Sequence, residues 1–508
     1  MPLSDVPAVE PLDVHNETLV RNVRPSDWSN PTPADRYHLV VVGAGTAGLI
    51  AASFAAGAGA KVALVERHLM GGDCLNVGCV PSKSLIRSSR VFAELRDAAA
   101  FGWRSPTGPE ADFASVMTRM RRVRAQISAN DSAHRYRDEK GVDVFFGSAR
   151  FTGGTSLEVA GATLRFRKAV IATGARPAIP PIDGLDDVEV LTNETIFNLT
   201  ALPRRLAVLG AGPVGTELAQ AFRRFGSEVT LLEAADRILG RDDPDAATLV
   251  HAALVRDGVR PVLSCRVGRV EQRDSEKVVH CVEGGEPGEL AVDAILVATG
   301  RAPNIEGLGL DAAGVNHDRT GVVVDDTLQT SNPRIYAAGD ICMAWKFTHA
   351  AEDAARIAVR NALFRGRRRL STLTLPWCTY TDPEVAHVGM HAGQAVAEGV
   401  PVTTYTQRWT DVDRAVVDGE DDGFVRIHTR KGTDEILGAT IVARHAGEML
   451  GEVTLAMVGG LGLGTLANVI HPYPTQADAV RRVAFQYSMT RVTPFVKRLL
   501  RFWLRMTT

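Results

Sequence analysis

The chain has 508 residues, too many for one hydrophobic core, so several domains are expected. Apolar residues make up 45% and charged residues 23%, which excludes a disordered chain. Lys plus Arg number 57 against 59 Asp plus Glu, a balance that gives no electrostatic case for a nucleic-acid partner.

Residues 1–36 are rich in Pro, Asp, Asn and Ser with little periodicity, and read as an extended arm. No basic segment followed by an apolar run stands in them, so no signal peptide is expected. The uncharged run Leu39 to Ala60 is long enough to cross a bilayer. It opens with Val40-Val41-Val42 and then breaks into glycines, so strand, tight turn and helix is the better reading. Gly43, Gly45 and Gly48 give G-x-G-x-x-G at that turn. The first permits the bend, the second lets backbone approach a pyrophosphate, and the third lets helix and strand pack closely. The helix N-terminus then offers N–H groups to phosphate. Glu66 ends the next strand and is placed to accept hydrogen bonds from an adenosine ribose.

The pattern recurs from Arg205, with Gly210, Gly212 and Gly215 at the turn and Glu233 at the same distance beyond it. Two such units imply two dinucleotides, most naturally a flavin (FAD) and a nicotinamide. Glu233 favours NAD over NADP, because a carboxylate repels a 2′-phosphate, and Arg237 nearby softens that preference. After Leu370 strands and helices continue without another phosphate turn, as an α+β module. A second uncharged run, Thr454 to Ile470, is broken by glycines and is expected to be buried core.

Six cysteines are no disulfide scaffold and suggest a reducing, cytoplasmic setting. Cys265, Cys281, Cys342 and Cys378 are isolated and expected to be apolar fillers. Cys74 and Cys79 are close together. Residues five apart in a regular helix sit roughly 8–9 Å apart, whereas disulfide-bonded Cα atoms are usually within about 7 Å. If this pair bonds, the segment between is not regular helix, and Gly78 gives the slack. Pro81 suits the first turn of a helix beginning near Cys79, whose N-terminus would favour a thiolate there. Two buried structural cysteines remain the plain alternative. A metal site would need more ligands, and no second Cys/His pair stands at metal spacing, so none is expected.

The segment Cys74-Leu75-Asn76-Val77-Gly78-Cys79-Val80-Pro81-Ser82-Lys83 resembles the redox signature of the flavin (pyridine nucleotide) disulfide oxidoreductases. These include dihydrolipoamide dehydrogenase, glutathione reductase and mercuric reductase. Ala172-Thr173-Gly174, Ala298-Thr299-Gly300 and Tyr336-Ala337-Ala338-Gly339-Asp340 are similar to further motifs of that family. The resemblance implies an α/β fold: two Rossmann-like dinucleotide-binding domains, for FAD and NAD, plus a C-terminal α+β dimerisation domain. The expected layout is an N-terminal extension (1–36), an FAD domain (37–185 and 303–370), an NAD(P) domain (186–302), an interface domain (371–490) and a basic amphipathic tail (491–508).

It also implies roles. Cys79 would be the thiolate nearest the flavin and Cys74 the interchange thiol. Lys83 and Glu217 would pair beside the flavin and nicotinamide. Asp340 would bind the ribityl chain, and the helix starting near Ala350 would point at the flavin. Gly72, Thr173, Gly174, Arg301 and Gly339 would line the FAD site, and Gly300 the NAD site. A homodimer is implied, since the residue facing Cys74 comes from the partner chain. Family members that reduce disulfides carry a histidine where this chain has Tyr473, and a Glu where it has Asp478. A phenol of pKa about 10 shuttles protons poorly near neutrality, so fast turnover of dihydrolipoamide or glutathione is not expected.

The branch resembled most closely is that of mercuric reductase, through Phe347-Thr348-His349-Ala350-Ala351-Glu352 and Trp377-Cys378-Thr379-Tyr380. The C-terminal cysteine pair with which that branch hands over a metal ion is absent, Cys378 being the last cysteine. The expectation is an NAD(P)H oxidoreductase passing electrons through FAD and Cys74–Cys79 to a small-molecule or metal-ion acceptor. Dihydrolipoamide dehydrogenase is one alternative. A flavin-bound redox sensor or membrane-surface interaction protein is another. Phe495, Leu499, Phe502 and Trp503 are expected to pack on the protein's own body rather than on a membrane.

Overall fold

The computed structural model describes residues 9–104, 110–283 and 286–507. The first eight residues of the expected arm lie outside the described residues. The chain divides into two units, Met1–Ala234 with Val262–Leu373, and Ala235–Pro261 with Thr374–Thr508.

In the first unit, β-branched residues build a parallel sheet in the order Asp143–Phe146, Val62–Glu66, Tyr37–Val42, Ala162–Ile171, Ile335–Ala337. Val41 stands opposite Leu64 on one side and Val170 on the other. Leu39, Val40, Val41, Leu64, Val170 and Ile171 are fully buried, as strands covered on both faces require. Each contributes about 1.5–3 kcal/mol by leaving water. The uncharged run from Leu39 is therefore strand, turn and the Thr46–Gly57 helix, which packs against the helix Thr348–Phe364. A second parallel set places Glu228–Leu232, Arg205–Leu209 and Ala294–Val297 side by side, with the helix Pro213–Phe225 following the second glycine turn.

The reading of residues 1–36 as an extended arm is corrected. Val14–Val23 is a helix whose N-cap, Asp13, accepts N–H bonds from His15 and Asn16. Leu19 and Val23 are fully buried, and the helix packs on Phe113–Ser128. Only these two apolar residues point inward, which is too little periodicity to read locally. Buried polar groups complete the join. Arg121 pairs with Asp13 at 2.6 Å, and Arg124 donates to Asn16 Oδ1 at 2.8 Å and to the carbonyl of Asn76 at 2.6 Å. Burial pulls the Arg124 guanidinium down to about 10, so it remains charged at neutral pH. Arg124→Met should leave both acceptors unsatisfied and lower stability by about 2–4 kcal/mol. Urea unfolding would show it, and an unchanged midpoint would count against this bracing.

In the second unit an antiparallel sheet runs Pro376–Thr379, Glu384–Gly389, Ile436–Ala443, Phe424–Arg430, Val402–Arg408. The helices Ala446–Val458 and Asp478–Thr490 pack on this sheet through Val453, Ala456, Val480 and Val483. The inserted segment is tied in by polar bonds: Trp377 donates to Asp242 at 2.8 Å, and Arg426 pairs with Asp243 at 2.9 Å.

Two expectations fail in this unit. The run Thr454–Ile470 is not uniformly core: Val458 and Ile470 are 68% and 94% exposed, while Leu463 and Leu466 are buried. Glycine-broken apolar sequence does not say which of its faces is covered. The tail is also corrected. Pro494–Thr507 is one helix with no buried residue, so its aromatic side chains do not pack on the protein.

The sheet also holds buried histidines. His387 donates through Nε2 to the Gly389 carbonyl and accepts from Thr440. His428 bonds Thr404 at 2.8 Å. Burial pulls their pKa values down to about 3 and about 4. Unfolded histidines bind protons below about 6.5, before these folded ones do, so stability falls with pH between 6.5 and those values. At pH 5 each should cost about 2 kcal/mol relative to pH 7. His428→Asn keeps the bond to Thr404 and should flatten the pH dependence of the denaturation midpoint. An equally steep dependence would refute the assignment.

Candidate active site

The site of the first unit is built on its two glycine turns and the loop carrying Cys74 and Cys79. At the third glycine of each turn a Cβ would strike backbone: 1.7 Å from the Gly43 carbonyl oxygen at Gly48, and 1.9 Å from that of Gly210 at Gly215. A Cβ on Gly72 would fall 2.6 Å from the Gly45 Cα, so the loop backbone rests directly on the turn. Neither helix following a turn has a side-chain cap on its first N–H groups, and a Cβ on Gly212 would meet open space. Such a cradle fits a dinucleotide pyrophosphate at each turn.

The acidic residues brace these turns. Glu66 accepts from the Ala44 and His68 N–H groups at 2.6 and 2.7 Å, and Glu233 from Ala211 N–H at 2.7 Å. Each carboxylate oxygen keeps acceptor capacity for a ribose hydroxyl.

Cys74 lies in a short helix, Gly72–Asn76, and Cys79 opens the long helix Cys79–Asp97, with Pro81 in its first turn. The break falls at Val77 and Gly78, where a Cβ on Gly78 would sit 2.7 Å from the Asp73 carbonyl oxygen. Both cysteines are thiols here. Cys74 is the neighbour of the Cys79 sulfur, the Thr348 hydroxyl lies 3.3 Å from it, and Lys83 adds positive charge. In that order of importance they hold the Cys79 thiol below its ordinary value, against burial, which pushes it up. Donation to Cys79 and burial push the Cys74 thiol up. Asp131, raised to about 6 by burial, adds to that rise.

One turn along the same helix, Lys83 pairs with buried Glu217 of the second glycine-turn helix at 2.7 Å. Arg301 bonds Asp73 and the Ala175 carbonyl, and lies 3.5 Å from Asp340. Thr173 donates to the Asn304 carbonyl at 2.9 Å, while Gly174, Gly300 and Gly339 adopt positive φ. Ala350 is buried in the first turn of the helix that starts at Thr348.

Tyr473 and Asp478 belong to the second unit. Tyr473 donates to Asp413 at 2.9 Å, which pushes its phenol above the ordinary value. Asp478 is buried and held by Arg481 and Arg482 at 2.8 Å each. His471 pairs with Glu452 at 3.0 Å. Of the other cysteines, Cys265 is buried, and burial raises Cys342 to about 12. Among the described residues no group of three or more His, Cys, Asp or Glu is disposed to hold a metal ion.

Sequence reasoning missed Thr348, Asp73, Asp131 and the Arg124 bond to the redox loop. Thr348 alone carried a signal, since it begins the helix already expected to face the flavin.

Two nucleotide cradles converging on a dithiol with one acidified sulfur define a two-dinucleotide oxidoreductase working through thiols. The chain belongs to the pyridine nucleotide-disulphide oxidoreductase family, whose model matches residues 37–355, with its dimerisation domain at 375–484. It is a flavoprotein disulfide oxidoreductase binding FAD and NAD(P), and its dimerisation domain supports a homodimer. It is 35% identical to a mercuric reductase of Lysinibacillus sphaericus over 89% of this chain and 83% of that protein. It is 34% identical to a dihydrolipoyl dehydrogenase of Chlamydia muridarum, over 87% of this chain and 95% of that one. Among solved structures, the HOCl-induced flavoprotein disulfide reductase RclA of Escherichia coli superposes with a TM-score of 0.79 at 31% identity, covering 88% of this chain and 99% of that one. That reductase has also been solved as a Cu(II) complex.

Proposed function

We propose that this protein is an NADH-dependent reductase that delivers two electrons through Cys74 and Cys79 to an oxidising, sulfur-seeking metal ion. The observation carrying this reading is the Cys74–Cys79 dithiol, with Cys79 at a helix start beside the Thr348 hydroxyl, combined with a phenol at position 473 engaged by Asp413. Reducing a disulfide substrate needs a proton delivered to the leaving thiolate, which a phenol does poorly near neutrality. Reducing a metal ion needs no such proton. Two relatives point the same way: a mercuric reductase, and a reductase captured with Cu(II).

Bound FAD would supply hydride acceptance from NADH and return two electrons to the protein sulfurs. Gly43, Gly45, Gly48 and Gly72 would make room for its pyrophosphate, and Asp340 would hold its ribityl chain. Thr173, Gly174, Arg301, Gly339 and Ala350 complete that wall. Gly210, Gly212, Gly215 and Gly300 serve the nicotinamide nucleotide, where Glu233 selects NAD over NADP by charge. Arg237 donates to the Gly240 carbonyl. Lys83 and Glu217 hold each other in place and keep positive charge by Cys79. The reduced pair then surrenders two electrons to two Cu(II) ions or one Hg(II) ion, re-forms its S–S bond, and releases its remaining proton to water. Tyr473 and Asp478 of the partner would close the site from the dimer side.

The domain limits go with this reading: FAD half 37–185 and 303–370, nucleotide half 186–302, interface 371–490. A reducing cytoplasmic compartment suits the thiols. Steady-state rates with NADH and NADPH against Cu(II), Hg(II), a quinone and lipoamide would test it. Higher kcat/KM for NADH and for a metal ion is expected. Faster turnover of lipoamide would mark a dihydrolipoamide dehydrogenase and overturn the proposal.

A further inference from the structure

The helix Pro494–Thr507 is sharply two-faced, and none of its residues is buried. At about 100° per residue, Phe495, Leu499, Phe502, Trp503 and Met506 share one broad face with Val496, Leu500 and Leu504 on its flank. Lys497, Arg498, Arg501 and Arg505 fill the narrow opposite face. No acidic residue follows Asp478, although the whole chain carries a net charge of −2, so the positive charge is concentrated here. Phe495, Phe502 and Trp503 are 70%, 62% and 63% exposed.

We infer that this helix docks the enzyme on an anionic phospholipid surface, lying in the plane of the headgroups. Fourteen residues of helix are about 21 Å long, short of the roughly 30 Å of a hydrocarbon core. No described helix is long and apolar enough to cross a membrane. A basic polar arc with Trp, Phe and Leu opposite it matches the chemistry of interfacial helices. Charge complementarity favours lipid over a second copy of this helix, which would bring no anion to the four cations beside the apolar face. The family's dimerisation match stops at residue 484, before the helix begins. The inference stands independently of which acceptor the dithiol serves.

The test is co-sedimentation of the full-length holoenzyme with vesicles of phosphatidylcholine alone, and of equal parts phosphatidylcholine and phosphatidylglycerol. Binding to the anionic vesicles only is expected, weakening as salt rises. Each basic residue near such a surface is worth about fivefold, so Arg498→Ala with Arg501→Ala should weaken binding about 25-fold. Trp503 emission should shift to the blue on the anionic vesicles, a shift missing in Trp503→Phe. Flavin absorbance and ferricyanide reduction by NADH, unchanged in these variants, show that they are folded. Binding that survives deletion of residues 492–508, equal binding to neutral vesicles, or none to either would overturn the inference. So would a fall in oligomeric mass on that deletion without vesicles, which would assign the helix to a second copy.

Discussion

Cys79→Ser is expected to cut NADH-driven reduction of a metal-ion acceptor by about 10³-fold or more while FAD stays bound. A serine hydroxyl does not ionise near neutrality, so the bond from Cys74 and the charge of Lys83 would have no thiolate to stabilise. Neither can it close a disulfide, so the two-electron store disappears. The cradle residues are untouched, and ferricyanide, which takes electrons from reduced flavin without sulfur, should be reduced at a rate within severalfold of the parent. Comparing the two acceptors in one preparation isolates the dithiol. Equal losses for both would mean that the substitution damaged flavin binding, and equal retention would show that the sulfurs are bystanders.

Gly48→Ala should yield a protein that does not retain flavin. The added carbon would lie 1.7 Å from the Gly43 carbonyl oxygen, backbone to backbone, with no flexible side chain to give way. Helix and strand would have to separate, a cost of about 3 kcal/mol or more, and the phosphate cradle would be lost with them. Gly212→Ala is the informative contrast. Its Cβ would point into open space, so the fold should hold while the KM for NADH rises about tenfold or more. Flavin absorbance after gel filtration reads the first variant and steady-state kinetics the second. A yellow, active Gly48→Ala protein would contradict the close packing described here.

The parts legible in the sequence were those whose chemistry demands fixed residue types at fixed spacing. The glycines at 43, 45, 48, 210, 212 and 215 stand at two turns between strand and helix, and Cys74, Gly78 and Cys79 stand where one helix breaks and the next begins. The fold class followed, because each set of glycines stands between a strand pattern and a helix pattern and is followed by an acidic residue at the same distance. Parts that depend on distant partners were not legible. The Val14–Val23 helix shows just two inward apolar residues, and its anchors, Arg121 and Arg124, stand on a helix about a hundred residues away. Thr348 reaches Cys79 only through the tertiary fold. Exposure of Ile470 and of the Pro494–Thr507 helix escaped notice because hydrophobic pattern reports which residues share a face, not whether anything lies against it.

The pairing of Ala235–Pro261 with Thr374–Thr508 bears on how a ribosome must deliver this molecule. Asp242 and Asp243 emerge long before Trp377 and Arg426, the side chains that will hold them. During that interval the helix Pro244–Asp257 has no home, while the segment after it is still needed upstream. Unit two therefore finishes assembling only when synthesis is nearly over, and a nascent chain stalled near residue 370 should show protease cutting around 235–261 that the released protein resists.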